Sequence, residues 1–263
     1  MYPYHVRTVN GKDGLLYHYT NIESAKQILY SMKLRLSDPS NFNDPSDCSL
    51  NELALCDYTS YHRVQDMWNN IGVICFTENW RKDNVYNCGY NHPRMWAQYA
   101  GGNTGVCFVI DKQSFISENN LKNKRFFLKR MRYSNSPERY SIQYNINHKN
   151  FYSKAELHAT SLFFCKNTDW RDENEIRLLG FDLPKYLSIK NSISFIVLGS
   201  KIREEDYKQI VSVVNDVNSQ SYLKLGEKSF VKASYEAGNV VVNDLATCGE
   251  LPSLVFVADE CNL

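Results

Sequence analysis

Polar side chains that could do chemistry lie at two points where an apolar run meets a change of pattern. His18 lies in "LLYHYT", directly before a helical pattern, and Glu173 and Glu175 lie in "WRDENEIRLL". A histidine can hold a hydroxyl group or move a proton, and a carboxylate can stabilise positive charge in a transition state. Residues two apart on a strand point to one face, so the two glutamates are predicted to act as a pair.

The first group also has a structural interpretation. Thr20 and Glu23 have the spacing of a helix capping box, so Thr20 is predicted to cap the following helix. His18 and Tyr19 alternate on the strand, so one of them faces a site and the other packs in the core.

The glutamates have a structural alternative as well. Arg171 and Arg177 flank Glu173 and Glu175, and the four side chains could form a ladder of surface ion pairs. Exposed pairs add little stability, so this alternative gives the segment no function.

Hydrophobic runs and turn signals predict the elements that position these groups. Strands are expected at 15–19, 33–37, 71–77, 105–111, 174–182, 192–200, 222–227 and 239–244. Helices are expected at 20–32, 49–70, 93–100, 151–166 and 203–218, with a polar loop at 78–92. No repeat or low-complexity linker interrupts the chain, which predicts one α+β domain over residues 1–263.

Composition indicates a soluble intracellular protein. The 263 residues carry a net charge of +1, so any binding of nucleic acid must come from a local patch. The eight cysteines form no Cys-x-x-Cys pair, so no metal site is predicted. No secretory signal or membrane span is evident, which favours reduced thiols and a cytoplasmic location.

Four motifs together resemble a bacterial family known only as a domain of unknown function. The chain carries them as "YHYT", "FNDP", "CFTEN" followed by "MWAQYAGGNTG", and "WRDENEIRLL", between residues 17 and 179. Their order is also similar to that of the ADP-ribosyltransferase fold, in its His-Tyr-Glu branch. The resemblance implies an α+β fold with a split, mixed or antiparallel β-sheet core and flanking helices. Asn43 and Asp44 of "FNDP" are interpreted as turn residues.

The resemblance implies that NAD is the co-substrate and that the bond between nicotinamide and ribose is broken. Glu175 is the implied catalytic carboxylate, and Glu173 helps to engage the acceptor. Trp96 would ordinarily be a core residue, so Tyr99 is favoured for stacking on nicotinamide, and Arg94 for a phosphate. The implied cofactor-binding residues are His18, Tyr19, Thr20, Thr77, Arg94, Trp96 and Tyr99.

A basic stretch, "KNKRFFLKRMR" at 122–132, is the candidate acceptor site. It mixes cations, which bind a phosphate backbone, with aromatic rings, which stack on unpaired bases. The alternative is a half-buried strand with a solvated basic edge. The candidate nucleic-acid-binding residues are Lys124, Arg125, Lys129, Arg130 and Arg132.

These observations predict an ADP-ribosyltransferase that modifies nucleic acid, with RNA favoured over DNA and protein as a further candidate acceptor. Because such an enzyme would harm its own cell, the hypothesis is a bacterial toxin or phage-defence effector that an antitoxin holds silent. Two alternatives stay open: a non-catalytic interaction module, and an NAD-independent ribonuclease using His18 and a glutamate as acid and base. A Cys–His nucleophile is least favoured, because no cysteine is marked as activated.

Overall fold

A computed structural model describes residues 14–39, 42, 44, 47, 54–55, 69–82, 85–135, 141–142, 163–181, 183–220, 230–236 and 239–244. The α-helices in these ranges are α1 (Ile22–Ser31), α2 (Pro93–Gln98), α3 (Lys112–Glu118) and α4 (Glu204–Gln220). Two 3₁₀-helices cover Leu121–Asn123 and Thr168–Glu173.

The strands of the described residues alternate with these helices along the chain. They are β1 (Leu15–Thr20), β2 (Lys33–Arg35), β3 (Ala54–Leu55), β4 (Ile71–Thr77), β5 (Trp80–Lys82), β6 (Val85–Asn87), β7 (Val106–Asp111), β8 (Phe126–Arg130), β9 (Arg132–Tyr133), β10 (Ser141–Ile142), β11 (Cys165–Lys166), β12 (Glu175–Phe181), β13 (Tyr186–Ser188), β14 (Ile193–Leu198), β15 (Phe230–Glu236) and β16 (Asn239–Asp244).

The chain divides into two compact units. The first unit comprises Met1–Leu34, Phe76–Asn119 and Ser188–Leu263, and the second comprises Arg35–Cys75 and Asn120–Leu187. The boundary falls inside β4, between Cys75 and Phe76. The prediction of a single domain stays a prediction, and the units are described one at a time.

The first unit is built on a mixed sheet whose strands run in the order β16-β15-β14-β7-β1. The strands β1 and β14 lie antiparallel to β7, while β15 lies parallel to β14 and antiparallel to β16. The first five residues of β7 are buried, as expected for an apolar strand with neighbours on both sides. The helices α1 and α4 pack together, with Ala25, Leu29, Ile210 and Val214 buried.

The second unit contains neighbouring strands in the order β4-β12-β8. The strands β12 and β8 are antiparallel, with Lys129 opposite Arg177. Every residue of β12 is buried, including its two charged residues. Two short parallel pairs, β3 with β10 and β9 with β11, complete the described strands that pair within this unit.

The cap of α1 differs from the prediction. Asn21 is the N-cap residue, and its side chain accepts a hydrogen bond from the backbone N–H of Ser24 at 2.9 Å. The capping box of Thr20 and Glu23 is therefore wrong: Thr20 ends β1 in a buried position, and Glu23 pairs with Lys26 at 3.0 Å. Asparagine and threonine both cap helices, and here the threonine is the last residue of β1 while the asparagine caps α1.

Two other expected elements differ from the structure. The polar stretch predicted as a loop at 78–92 holds the antiparallel pair β5 and β6, with Trp80 opposite Asn87. Ala54 and Leu55, predicted inside a helix, form β3, while most of that predicted helix lies outside the described residues. Most of the predicted helix at 151–166 also lies outside the described residues, and its last two residues form β11. The predicted strand at 222–227 lies wholly outside them.

The fold class is α+β, with mixed, mainly antiparallel sheets and flanking helices, as the sequence predicts. Among the described residues, no helix combines the length and apolar character needed to cross a membrane. Within the same ranges, no three His, Cys, Asp or Glu side chains are grouped so that they could hold a metal ion.

Candidate functional site

The predicted site residues fall into both units. The first unit holds the implied cofactor-binding residues on β1, β4 and α2, and the second holds Glu173, Glu175 and the basic stretch. The structure brings the two glutamates together, as shown below. The cofactor-binding and nucleic-acid-binding roles stay predictions.

Strand β1 presents its polar residues to two different faces. The half-buried imidazole of His18 meets the ring of Phe76 edge-on at 5.8 Å, whereas Tyr19 meets Trp96 of α2 at 5.1 Å. Because neighbouring residues of a strand point to opposite faces, α2 packs on the face of β1 opposite to His18. The structure therefore does not place His18 and Trp96 on one face.

Tyr19 and Thr77 both bind the turn that follows β6. The Tyr19 hydroxyl donates a hydrogen bond to the carbonyl of Gly89 at 2.6 Å, and the Thr77 hydroxyl donates to the same oxygen at 3.3 Å. Both side chains are buried, and burial raises the pKa of Tyr19 well above its usual range. Their polar atoms hold the turn in place in this structure.

Helix α2 offers two accessible candidates for ligand contact. Trp96 is 0% exposed, and its indole N–H donates to the carbonyl of Tyr90 at 2.8 Å, so its ring is part of the core. Tyr99, at the C-cap, is half-buried and packs against the edge of the hydrophobic cluster that contains Trp96. Arg94 is also half-buried, with its Nε donating to Gln98 at 3.2 Å.

The two glutamates share one ammonium group in the second unit. Lys166 Nζ donates to Glu173 Oε2 and to Glu175 Oε2, each at 2.8 Å. Glu173 is 1% exposed and Glu175 is 4% exposed. The alternative of a surface ion-pair ladder is therefore wrong, because the pair is buried and its shared cation is Lys166.

Arg177 binds the other side of Glu175. Its Nε donates to Glu175 Oε1 at 2.7 Å, and its two terminal nitrogens donate to the carboxylate oxygens of Asp47 at 3.0 and 2.8 Å. A terminal nitrogen also donates to the carbonyl of Phe163, and the guanidinium lies 5.0 Å from the Phe42 ring centroid. This fork-to-fork contact fixes the Asp47 and Arg177 side chains in one geometry.

The backbone between the two glutamates bends sharply. Glu173 ends a 3₁₀-helix, Glu175 begins β12, and Asn174 between them is left-handed, with φ 45° and ψ 44°. The expected reason for their proximity, a shared strand face, is thus wrong, although the proximity itself is confirmed. The N–H of Glu175 donates to the Tyr133 hydroxyl at 3.0 Å, which anchors the start of β12.

The surrounding charges hold Glu175 and Lys166 ionised. Burial by itself would raise the pKa of Glu175, but the charges of Arg177 and Lys166 lower it to about 2. Burial would lower the pKa of Lys166, but Glu175 and Glu173 raise it well above its usual range. Burial also raises the pKa of Cys75, whose thiol hydrogen-bonds Glu175, so this thiol is a poor nucleophile at neutral pH.

Sequence reasoning missed three members of this network: Lys166, Asp47 and Tyr133. Lys166 follows the apolar run "FFC" directly, and a lone cation there signals burial with an acidic partner. The sequence carries no comparable signal for Asp47 or Tyr133, which reach Arg177 and the Glu175 backbone only through tertiary packing.

The predicted acceptor residues lie on or beside β8, at the edge of the described sheet of the second unit. Phe127 and Lys129 alternate with Phe126 and Leu128, and Lys129 Nζ lies 4.9 Å from the Phe127 ring centroid. The five basic residues are all exposed: Lys124, Arg125, Lys129, Arg130 and Arg132. A basic strand is therefore present, whatever its ligand.

Comparisons with known proteins show a partial match and a distant likeness. A family model described as "Protein of unknown function (DUF2971)" matches residues 95–178. No curated protein matches the chain. At TM-scores below 0.5, a superposition carries no residue-by-residue correspondence.

Two solved structures match the chain with TM-scores below 0.5. Thermus sp. 2.9 DarT in complex with NAD+ is 13% identical over 80% of this chain and 92% of that chain, with a TM-score of 0.35. Thermus sp. 2.9 DarT in complex with ADP-ribosylated ssDNA is 12% identical over 78% and 90%, with a TM-score of 0.32.

Proposed function

We propose that the chain is an NAD-dependent ADP-ribosyltransferase that transfers ADP-ribose to nucleic acid and releases nicotinamide. The observation that carries the proposal is the buried pair Glu173 and Glu175, held at 2.8 Å by one ammonium group. The four sequence motifs support the same assignment, because Glu175 stands where their pattern puts the catalytic carboxylate.

The proposed reaction exchanges one bond at ribose C1′. The bond to the nicotinamide nitrogen breaks and its electron pair leaves with nicotinamide, while a nucleophile of the acceptor binds C1′ and releases its proton to water. The ribose becomes cationic in the transition state, as in other glycosyl transfers. A carboxylate that is ionised at every physiological pH can stabilise this charge, and a pKa of about 2 makes Glu175 such a carboxylate.

Access to Glu175 requires one of its ion pairs to open. Lys166 Nζ also binds Glu173 and lies 3.6 Å from Asp47 Oδ2. The charge of Lys166 therefore stays compensated when its contact with Glu175 breaks. Arg177 then keeps both oxygens of Glu175, through Nε to Oε1 at 2.7 Å and through a terminal nitrogen to Oε2 at 3.2 Å. The acceptor position on Oε2 that Lys166 leaves becomes available for the ribose 2′-hydroxyl. We therefore assign Oε2 the catalytic contact.

Three of the implied NAD contacts have accessible side chains. His18, Arg94 and Tyr99 are half-buried, whereas Tyr19, Thr77 and Trp96 are buried with their polar atoms engaged. Thr20 is also buried. An arginine and an aromatic ring suit a phosphate and a nicotinamide, so we propose Arg94 and Tyr99, which lie together on α2 in the first unit, as NAD contacts. The role of His18, on the opposite face of β1, stays a prediction.

The acceptor is proposed to bind the basic strand β8. Its exposed cations would bind phosphates, and Phe127 beside Lys129 would stack on an unpaired base. We further propose that the protein acts in the cytoplasm as a toxin or phage-defence effector that an antitoxin holds silent.

The test is incubation of the purified protein with radiolabelled NAD and, separately, total RNA, single-stranded DNA and total protein. We expect label in a nucleic-acid fraction, lost in Glu175→Gln and reduced in Arg94→Ala. Glu204→Gln, an exposed carboxylate on α4, is the matched control and should label like the wild type. No label in any fraction, together with no NAD binding by calorimetry, would overturn the proposal.

A second candidate function is favoured by the same network. Both oxygens of Glu175 are engaged by cations, as expected of a structural ion pair in a non-catalytic interaction module. This candidate predicts no NAD binding and full biological function in Glu175→Gln. A ribonuclease, by contrast, would shorten the RNA in the reaction without NAD.

The toxin assignment has its own test. Induced expression of the wild type in a bacterial host should arrest growth, and induced Glu175→Gln should not. Growth arrest by both proteins would separate toxicity from the transferase chemistry and overturn this part of the proposal.

A further inference from the structure

Lys166 occupies a position that no motif marks. It is the second residue of β11, it is buried, and its Nζ also lies 5.4 Å from the centroid of the Trp170 ring. Its two shortest contacts join carboxylates on either side of the left-handed Asn174. One nitrogen thus sets the separation of the two carboxylates.

Strand pairing and backbone hydrogen bonds also hold the main chain of Lys166 in place. Strand β11 pairs with β9, with Lys166 opposite Tyr133. The N–H of Arg132 donates to the carbonyl of Phe164 at 2.8 Å, and the N–H of Ser134 donates to that of Lys166 at 2.9 Å. The same pair of strands therefore anchors Glu175 twice, through the Lys166 ammonium and through the Tyr133 hydroxyl.

We propose that Lys166 is a positioning residue that holds the carboxylates of Glu173 and Glu175 at a set distance for the reaction at ribose. The inference rests on the proposed function, because it names Lys166 as the residue that positions the two carboxylates assigned to that function. Lys166 acts through the glutamates and does not touch the substrate.

The physical argument is the repulsion that Lys166 offsets. Two carboxylates that bind the same nitrogen are close neighbours. Arg177 and the Cys75 thiol also bind Glu175, and Asp47 lies beside both cations. Without Lys166, Glu175 keeps one cation against two neighbouring carboxylates, so its pKa rises. A protonated carboxyl cannot stabilise a cationic ribose. Arginine would keep the charge but spread it over a planar fork, which cannot place both carboxylates on one atom.

Three variants test the inference: Lys166→Met, Lys166→Arg and, as the matched control, Lys208→Met on the exposed face of α4. In the Met variant we expect the acid limb of the pH–rate profile for NAD consumption to move upward by more than one pH unit. We expect the Arg variant to keep the wild-type acid limb and lose about 100-fold in kcat with little change in KM. The control should match the wild type in both.

A Met variant with the wild-type pH profile would overturn the inference. If the Met variant does not fold, the Arg variant decides, and wild-type kcat in that variant overturns it. Titration of the glutamate carboxyl carbons by NMR gives an activity-free readout, in which carboxyl signals of the Met variant should titrate at higher pH. A wild type that consumes no NAD fails the proposed function, and the NMR titration then still decides whether Lys166 controls the pair.

Discussion

Lys166 and Glu175 stand nine positions apart in the chain, and their ammonium and carboxylate groups meet at 2.8 Å. The chain between them is a 3₁₀-helix that Asn167 caps, with its side chain accepting from the N–H of Asp169 at 2.9 Å. Asn174 closes the helix in a left-handed conformation and turns the chain into β12. A tight local reversal therefore brings opposite charges together inside the second unit.

Acid is expected to destabilise the protein through Glu175. Its pKa is lowered from 4.5 to about 2 in the folded chain, so the ionised group stabilises the fold above pH 4.5, and the stabilisation is lost as the pH falls toward 2. The shift corresponds to about 3 kcal/mol at neutral pH. Urea unfolding at pH 7, 4 and 3 should show a shallower loss of stability in Glu175→Gln. A Gln variant with the wild-type slope, or the same change in Glu204→Gln, would contradict this.

Removing Arg177 is expected to cost about 3–5 kcal/mol of the free energy of unfolding, because Arg177→Met removes the guanidinium from two buried carboxylates and leaves them only Lys166. A double-mutant cycle with Asp47→Asn should give a coupling energy of about 2 kcal/mol. The exposed pair Lys208 and Glu204 is the control, with an expected coupling of about 0.5 kcal/mol or less. Equal coupling energies for the two pairs would show that burial does not matter here.

The cap of α1 can be tested at two adjacent positions. Asn21→Ala should lose about 1 kcal/mol, because the N–H of Ser24 loses its acceptor, while Asn21→Asp should stay near the wild type. Thermal unfolding followed by circular dichroism measures both. A loss of about 1 kcal/mol in Thr20→Val that Thr20→Ser does not show, together with no loss in Asn21→Ala, would return the cap to Thr20.

Gly89 is expected to tolerate no side chain. A Cβ there would lie 2.1 Å from Cδ2 of the buried Tyr17 ring, so Gly89→Ala should cost about 2 kcal/mol or more. Gly102→Ala is the comparison: it meets nothing within 4 Å but has φ 67°, so only backbone strain of about 1 kcal/mol is expected. Urea midpoints measure the difference. Equal losses would mean that the Tyr17 ring moves aside.

The sequence predicts much of the framework. Strands β1, β4, β7, β12 and β14 and helices α1, α2 and α4 lie where apolar runs and helical periodicity place them, since burial of these patterns drives their formation. The antiparallel pair of β5 and β6 was missed because its residues are mostly polar and its pairing comes from backbone hydrogen bonds.

The candidate site was less predictable than the framework. The meeting of Glu173 and Glu175 was expected, but from a strand that does not include Glu173. Their cation was assigned to the end of a predicted helix, because "FFCK" continues an apolar helical pattern and nothing local reveals β9 as its partner strand. Contacts with Asp47 depend on residues far apart in the chain, which local patterns do not encode.

The shared ammonium group also affects the order in which Glu173 and Lys166 can be substituted during evolution. A lineage can lose Glu173 first, because Lys166 then keeps Glu175 and has Asp47 nearby. A lineage that loses Lys166 first buries Glu173 beside Glu175 with only Arg177 left to offset their charges, and we expect selection to remove such intermediates. Homologues are therefore expected to carry Lys166 with one or both glutamates, and reconstructed ancestral sequences should show the glutamate change before the lysine change.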